Sequence, residues 1–115
     1  SLSAAIGTSR YPAYCTAKSA IEGLFLNLAV DYGEFGVLSN VVRPGIIQTK
    51  RNEKLWKRTG YDSRVKELIP VREIGKPDQV ASVVDLALER DSYLNGAIIP
   101  VGGGMPSMRS AGLIK

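Results

Sequence analysis

The sequence has 115 residues, with 15 Lys+Arg against 11 Asp+Glu for a net charge of +4, one Cys and no His. That length suits one ordinary domain, and 44% hydrophobic with 23% charged residues mark a globular rather than a disordered chain. The lack of His excludes imidazole-based triads and metal sites.

One Cys cannot close an internal disulfide, which suits the reducing cytoplasm. No apolar run of about 18 residues is present to span a membrane, so no membrane association is expected. The opening Ser1-Leu2-Ser3-Ala4-Ala5 carries no basic stretch ahead of a long apolar one, so no secretory leader is expected. Lys50, Arg51, Lys54, Lys57 and Arg58 cluster, but with acidic neighbours. The group reads as a solvated helix face, with an anionic substrate or cofactor phosphate as the alternative and no nucleic-acid partner.

Five regular segments are expected, with no repeat and no low-complexity tract. Pro12 suits an early helical position, because its missing N–H would be unpaired there in any case. Apolar residues at Ala17, Ile21, Leu24, Leu28 and Tyr32 then mark one face of a helix from Ala13 to Tyr32. Phe25, Leu26 and Val30 lie outside that stripe, so cover on more than one side is expected, a partner subunit being one candidate. Gly33 and Gly36 stop the helix.

Residues 37–42, Val-Leu-Ser-Asn-Val-Val, read as a buried strand ended by Pro44-Gly45. From Thr49 to Leu68 two short helices broken at Thr59-Gly60 are expected, less securely docked than the first. Gly75-Lys76-Pro77-Asp78 leads into a helix with Val80, Val83, Val84, Ala87 and Leu88 on one stripe, running to about Arg90. Asn95-Gly96 turns the chain into a second strand over 97–101, closed by Gly102-Gly103-Gly104, and Met105 to Lys115 reads as a mobile tail.

Each strand follows a long helix, the order of a parallel α/β architecture. Two short strands cannot by themselves make a stable parallel sheet whose two faces both need helices. The expectation is therefore the C-terminal part of a longer chain, or one piece of a nicked one.

Tyr14 and Lys18 stand four apart and share a helix face. A phenol alone is a poor acid–base catalyst near neutrality, and a neighbouring ammonium favours the phenolate. Such a pair can hand a proton to a carbonyl oxygen or take one from an alcohol. A Ser hydroxyl from a nearby strand end can bind the same oxygen. Ser1, 13 positions before Tyr14, is the candidate, and Ser3, 11 before it, is the second choice. Cys15 points about 100° away from Tyr14 on a helix and reads as small packing, with a redox switch as the alternative. Trp56 and Tyr61 suit either a substrate pocket or packing.

The run Ser1 … Tyr14-Cys15-Thr16-Ala17-Lys18, then Asn40-Val41-Val42-Arg43-Pro44-Gly45-Ile46-Ile47-Gln48-Thr49, resembles the short-chain dehydrogenase/reductase family. Arg72-Glu73-Ile74-Gly75-Lys76-Pro77 resembles that family's Arg-x-Gly-x-Pro segment, with one residue more between Arg and Gly. Asn95-Gly96 with Val101-Gly102-Gly103-Gly104 resembles its closing strand, and the four segments keep the family's order over residues 1–104.

The resemblance implies the C-terminal portion of a doubly wound parallel, Rossmann-like sheet that binds NAD or NADP. It implies Tyr14 as catalytic acid/base, Lys18 holding the nicotinamide ribose and favouring the phenolate, and Ser1 positioning the substrate oxygen. It further implies Pro44, Gly45, Ile47 and Thr49 lining the nicotinamide, residues 50–70 as a substrate lid, and a homo-oligomer, dimer or tetramer. Gly102 stands where the family usually has Asp, which bears on a C-terminal or subunit contact. The family's glycine-rich phosphate turn and its catalytic Asn are not found in this sequence, so an N-terminal half is the expected partner.

The function so implied is NAD(P)-dependent interconversion of a small carbonyl compound and its alcohol in the cytoplasm, with this piece alone inactive. Two other readings stand beside it. One is a nucleotide-sugar epimerase or dehydratase on the same fold; the other is a non-catalytic fragment acting through protein contacts.

Overall fold

A computed structural model describes residues 1–105, the side chain of Trp56 excepted. The order is α1 (Pro12–Tyr32), β1 (Val41–Pro44), α2 (Glu53–Trp56), α3 (Tyr61–Leu68), α4 (Pro77–Leu88) and β2 (Ile98–Val101), with short 3-10 turns between. The expected tail lies beyond the described residues except for Met105, which packs against the buried cluster instead of starting a tail. Among the described residues no helix is long and apolar enough to cross a membrane.

β1 and β2 form a parallel pair, Val41 opposite Ile98 through Pro44 opposite Val101. The strand expected at 37–42 thus starts at Val41. The cause is a polar weld ahead of it. The Ser39 N–H donates to Asn95 Oδ1 at 2.9 Å, and Asn95 Nδ2 donates to the Ala29 carbonyl at 2.9 Å. Asn40 Nδ2 donates to the Leu94 carbonyl, while its Oδ1 accepts from the Ala97 N–H. These side chains use the backbone groups that pairing at 39–40 would need, and the ladder begins once they are satisfied. Pro44 fits inside the strand because Val41 and Gly45 donate to the Ala97 and Val101 carbonyls. Strand alternation then turns the position of Pro44's missing N–H away from β2.

α1 begins with Pro12 at its first turn and gives way at Gly33 to a 3-10 turn closed by Gly36 at φ 76°. Its inward face is not the stripe expected from the sequence. Of that stripe Leu28 is half-buried but Ala17, Ile21, Leu24 and Tyr32 are exposed, Leu24 to 57%, whereas Glu22 and Ala29 are buried and Lys18 and Leu26 half-buried. The helix is apolar nearly all round, so periodicity could not choose a face.

Of the two short helices expected to dock less securely, α3 leads into the most buried residues, while Glu53, Lys54 and Leu55 of α2 are exposed. The most buried side chain, Ile69 at 2% exposure, follows α3 and packs with Val65 and Ile74. Tyr61 of α3 packs on the same cluster.

α4 starts with Pro77 in its first turn, and Gln79 Oε1 accepts the Lys76 N–H at 2.7 Å. It stops at Leu88, two residues short of expectation. Ahead of it, Gly75 forms an isolated parallel bridge with Ile47. The Gly75 N–H donates to the Ile46 carbonyl at 3.1 Å, and its carbonyl accepts from the Gln48 N–H at 2.8 Å. A Cβ on Gly75 would lie 2.5 Å from Ile47 Cδ1. The Arg72–Pro77 segment therefore braces the loop that leaves β1.

Candidate active site

Tyr14, Lys18 and Glu22 occupy successive turns of α1 and line one cleft of about 440 Å³. Ser1, Pro44, Gly45 and Ile47 line it as well. Lys18 Nζ sits 5.4 Å from the centroid of the Tyr14 ring, and the Tyr11 ring packs edge-on to Tyr14 at 6.4 Å. Six of the seven residues expected at the site are thus brought to one cleft. Thr49 is not in its lining: it is exposed, and its hydroxyl donates to Asn52 Oδ1 at 2.9 Å.

Ser1 caps a 3-10 turn at Leu2–Ala4, its Oγ accepting the Ser3 N–H at 3.2 Å. That bond uses a lone pair and leaves the hydroxyl hydrogen to donate. Ser3 instead pairs its hydroxyl with Thr8 Oγ1 at 3.1 Å and lines a separate hollow that Cys15 also lines. The second-choice serine and the cysteine therefore sit apart from the cleft.

At the end of β1, Gly45 donates to the Val101 carbonyl at 2.9 Å. A Cβ on Gly45 would meet Gly102 Cα at 2.8 Å and Leu2 Cδ1 at 3.1 Å, so packing alone demands glycine there. Gly102, which departs from the resembled pattern, is the surface Gly45 rests on.

The cleft offers donors. Lys18 forms no salt bridge among the described residues. The Ile47 N–H has no acceptor among them either, because the bridge to Gly75 is made by the flanking Ile46 carbonyl and Gln48 N–H. With the Ser1 and Tyr14 hydroxyls, these groups suit a ligand rich in hydroxyl and carbonyl oxygens.

Sequence reasoning missed one feature, the ion pair beside the cleft. Arg43 of β1 donates from Nε to Glu22 Oε1 at 2.8 Å and from Nη2 to Oε2, with the side chains 16% and 10% exposed respectively. The hydrogen bonds from Arg43 hold the Glu22 carboxyl below its ordinary value, against the opposing effect of burial. The available signal was an acid on the Tyr14–Lys18 face and an arginine inside an apolar strand.

Residues 1–106 match the family model described as enoyl-(acyl carrier protein) reductase. Mouse dehydrogenase/reductase SDR family member 4 is 34% identical over 105 residues, covering 88% of this chain and 38% of that protein. The 3-oxoacyl-[acyl-carrier-protein] reductase MabA of Mycobacterium tuberculosis is 36% identical over 106 residues, covering 91% of this chain and 42% of that protein. The structure of an Agrobacterium tumefaciens putative 2-deoxy-D-gluconate 3-dehydrogenase with bound NADP superposes with a TM-score of 0.85 at 30% identity, over 93% of this chain and 44% of that one. The chain spans about two fifths of the length of these relatives. The parallel strands, the helices that follow the same order and these matches agree: the chain is a partial Rossmann-type α/β unit and belongs to the short-chain dehydrogenase/reductase family.

Proposed function

We propose that this chain is the proton-transfer part of an NAD(P)-dependent oxidoreductase that interconverts a small carbonyl compound and its alcohol. The observation that carries the reading is the Lys18 ammonium held 5.4 Å from the Tyr14 ring in a cleft shared with Ser1.

The donors of the cleft fit NAD or NADP: Lys18 for the ribose hydroxyls, the Ile47 N–H for the carboxamide oxygen, and Pro44 and Gly45 as apolar floor. Thr49 serves this role only if its hydroxyl turns from Asn52. The cofactor, when bound, would donate a hydride to the carbonyl carbon in reduction and accept one from the alcohol carbon in oxidation.

The chain's own residues do the rest. In reduction, the Ser1 hydroxyl donates to the substrate oxygen and holds it near Tyr14. Tyr14 passes its phenolic proton to that oxygen as the C–O double bond becomes single, so the alcohol leaves neutral. Lys18 stabilises the negative charge left on the Tyr14 oxygen until water returns a proton. Oxidation runs the same steps backwards, with Tyr14 accepting the alcohol proton.

The complementary N-terminal half supplies the phosphate-binding part, residues 50–70 close over the substrate as a lid, and the exposed apolar side of α1 suits a second subunit. The names of the relatives, reductases and dehydrogenases, favour this reading over an epimerase or a non-catalytic fragment. The test is to assemble the chain with a nucleotide-binding half and follow carbonyl-dependent oxidation of NADH and NADPH. Consumption of either is expected. Cofactor binding without turnover across aldehydes, ketones and 3-oxoacyl thioesters would contradict the proposal.

A further inference from the structure

We propose that Arg43 is a positioning residue for the Tyr14–Lys18 pair: by holding the Glu22 carboxylate against β1, it keeps that acid from neutralising the Lys18 ammonium. The inference rests on the oxidoreductase reading above and deepens it.

Tyr14, Lys18 and Glu22 are spaced i, i+4, i+8, so Glu22 lies one turn from Lys18 on the same helix face. An acid and a lysine four apart can pair on a helix. Among the described residues two such bridges form with the acid first, Glu53 to Lys57 at 2.9 Å and Asp62 to Lys66 at 2.7 Å, whereas Lys18 and Glu22 stand in the weaker reverse order. Lys18 and Glu22 make none, although both line the cleft.

The reason is visible in the strand below. The Arg43 guanidinium engages both oxygens of Glu22, Nε to Oε1 and Nη2 to Oε2, in the two-pronged geometry that holds a carboxylate most firmly. Both side chains are largely buried, so the pair is poorly exchanged with water. Lys18 is left over the Tyr14 ring.

The charged or titratable groups around Lys18 are then few. α1 brings Tyr14 and Glu22, β1 brings Arg43, and the amino group of Ser1 couples to Lys18, Glu22 and Arg43. The Leu2–Ala4 turn and the Pro44–Ile47 segment carry no ionisable side chain. If Arg43 is removed, Lys18 is the side-chain cation of the cleft in line to receive Glu22. Its charge would then be cancelled where the Tyr14 oxygen needs it.

Arg43 also ties β1 to α1, so the test must separate positioning from simple support. It uses the chain assembled with a nucleotide-binding half, followed in the direction of alcohol oxidation. Arg43→Met should lower kcat about tenfold and move the acid–base limb of the pH–rate profile up by about one unit. Arg43→Met with Glu22→Gln should return the limb to its original position and kcat to within about threefold. Glu22→Gln alone leaves no competing acid, so its limb should stay or move to lower pH. Arg43→Lys, which can keep the pair, should leave the limb in place.

Purely structural support predicts otherwise: equal losses for either single variant, an unmoved limb in Arg43→Met and no return of kcat in the double variant. Any of these overturns the proposal. Should Arg43→Met fail to fold, Glu22→Gln decides by itself, and a rise in its limb overturns the proposal. Tyr14→Phe run in parallel separates the two ideas. Activity surviving there removes the underlying reading, whereas a dead Tyr14→Phe with an unmoved Arg43→Met limb removes only the positioning role.

Discussion

Asn95 joins three parts of the molecule at once: its Oδ1 accepts the Ser39 N–H ahead of β1, and its Nδ2 donates to the Ala29 carbonyl on α1, each at 2.9 Å. Both bonds span more than fifty residues of sequence, so this side chain helps set where β1 meets β2. Asn95→Ala is expected to cost about 1–2 kcal/mol, the range for losing two partly buried hydrogen bonds. Urea unfolding measures it. Asn95→Asp should not recover the loss, since its second carboxylate oxygen would face the Ala29 carbonyl, acceptor against acceptor.

The Glu22–Arg43 pair makes stability fall in acid. The Glu22 carboxyl is held below its ordinary value by the hydrogen bonds from Arg43. A lowered folded value means the unfolded chain binds the proton first, so the pair's contribution is complete above about pH 4.5 and shrinks as pH falls through the folded value. The raised value of Arg43 adds no slope at accessible pH, because it moves further above the neutral range. Denaturation midpoints between pH 7 and pH 3 should therefore decline, and Glu22→Gln should decline less steeply.

The glycines divide by what a side chain would meet. Gly45→Ala drives a methyl to 2.8 Å from the Gly102 backbone, which cannot rotate away, and should cost about 2–3 kcal/mol. Gly23 lies within α1 with nothing near its Cβ position, so Gly23→Ala should stabilise by about 0.5–1 kcal/mol. Thermal unfolding of the two variants reads both signs together.

Lys18 has two duties in the proposed mechanism and should show both when removed. Lys18→Ala is expected to weaken cofactor binding about tenfold and to lower kcat by at least about a hundredfold. Titration of cofactor fluorescence and steady-state rates separate the two effects. Unchanged cofactor affinity would assign Lys18 to the surface.

Much of this was legible beforehand, and the limits have physical causes. Pro12, Gly36, Pro77 and the Asn95-Gly96 turn act locally, so helix starts and stops were close. The Tyr14–Lys18 spacing is also local and put both residues on one helix face. What failed was non-local. The inward face of α1 is chosen by Glu22 meeting Arg43 and by Ala29 meeting Asn95, contacts that apolar periodicity cannot register. The start of β1 is set by the Asn95 and Asn40 side chains rather than by β-branched residues at 37–42. Thr49 matched a motif by position, yet its hydroxyl is committed to Asn52.

The most direct measurement is made on Tyr14→Phe in the chain completed by its nucleotide-binding half. The substitution removes one oxygen and leaves the ring that Tyr11 and Lys18 contact. Turnover should fall at least about a thousandfold while cofactor affinity stays within about threefold. Turnover within about tenfold of the unsubstituted protein would contradict the assignment of proton transfer to Tyr14.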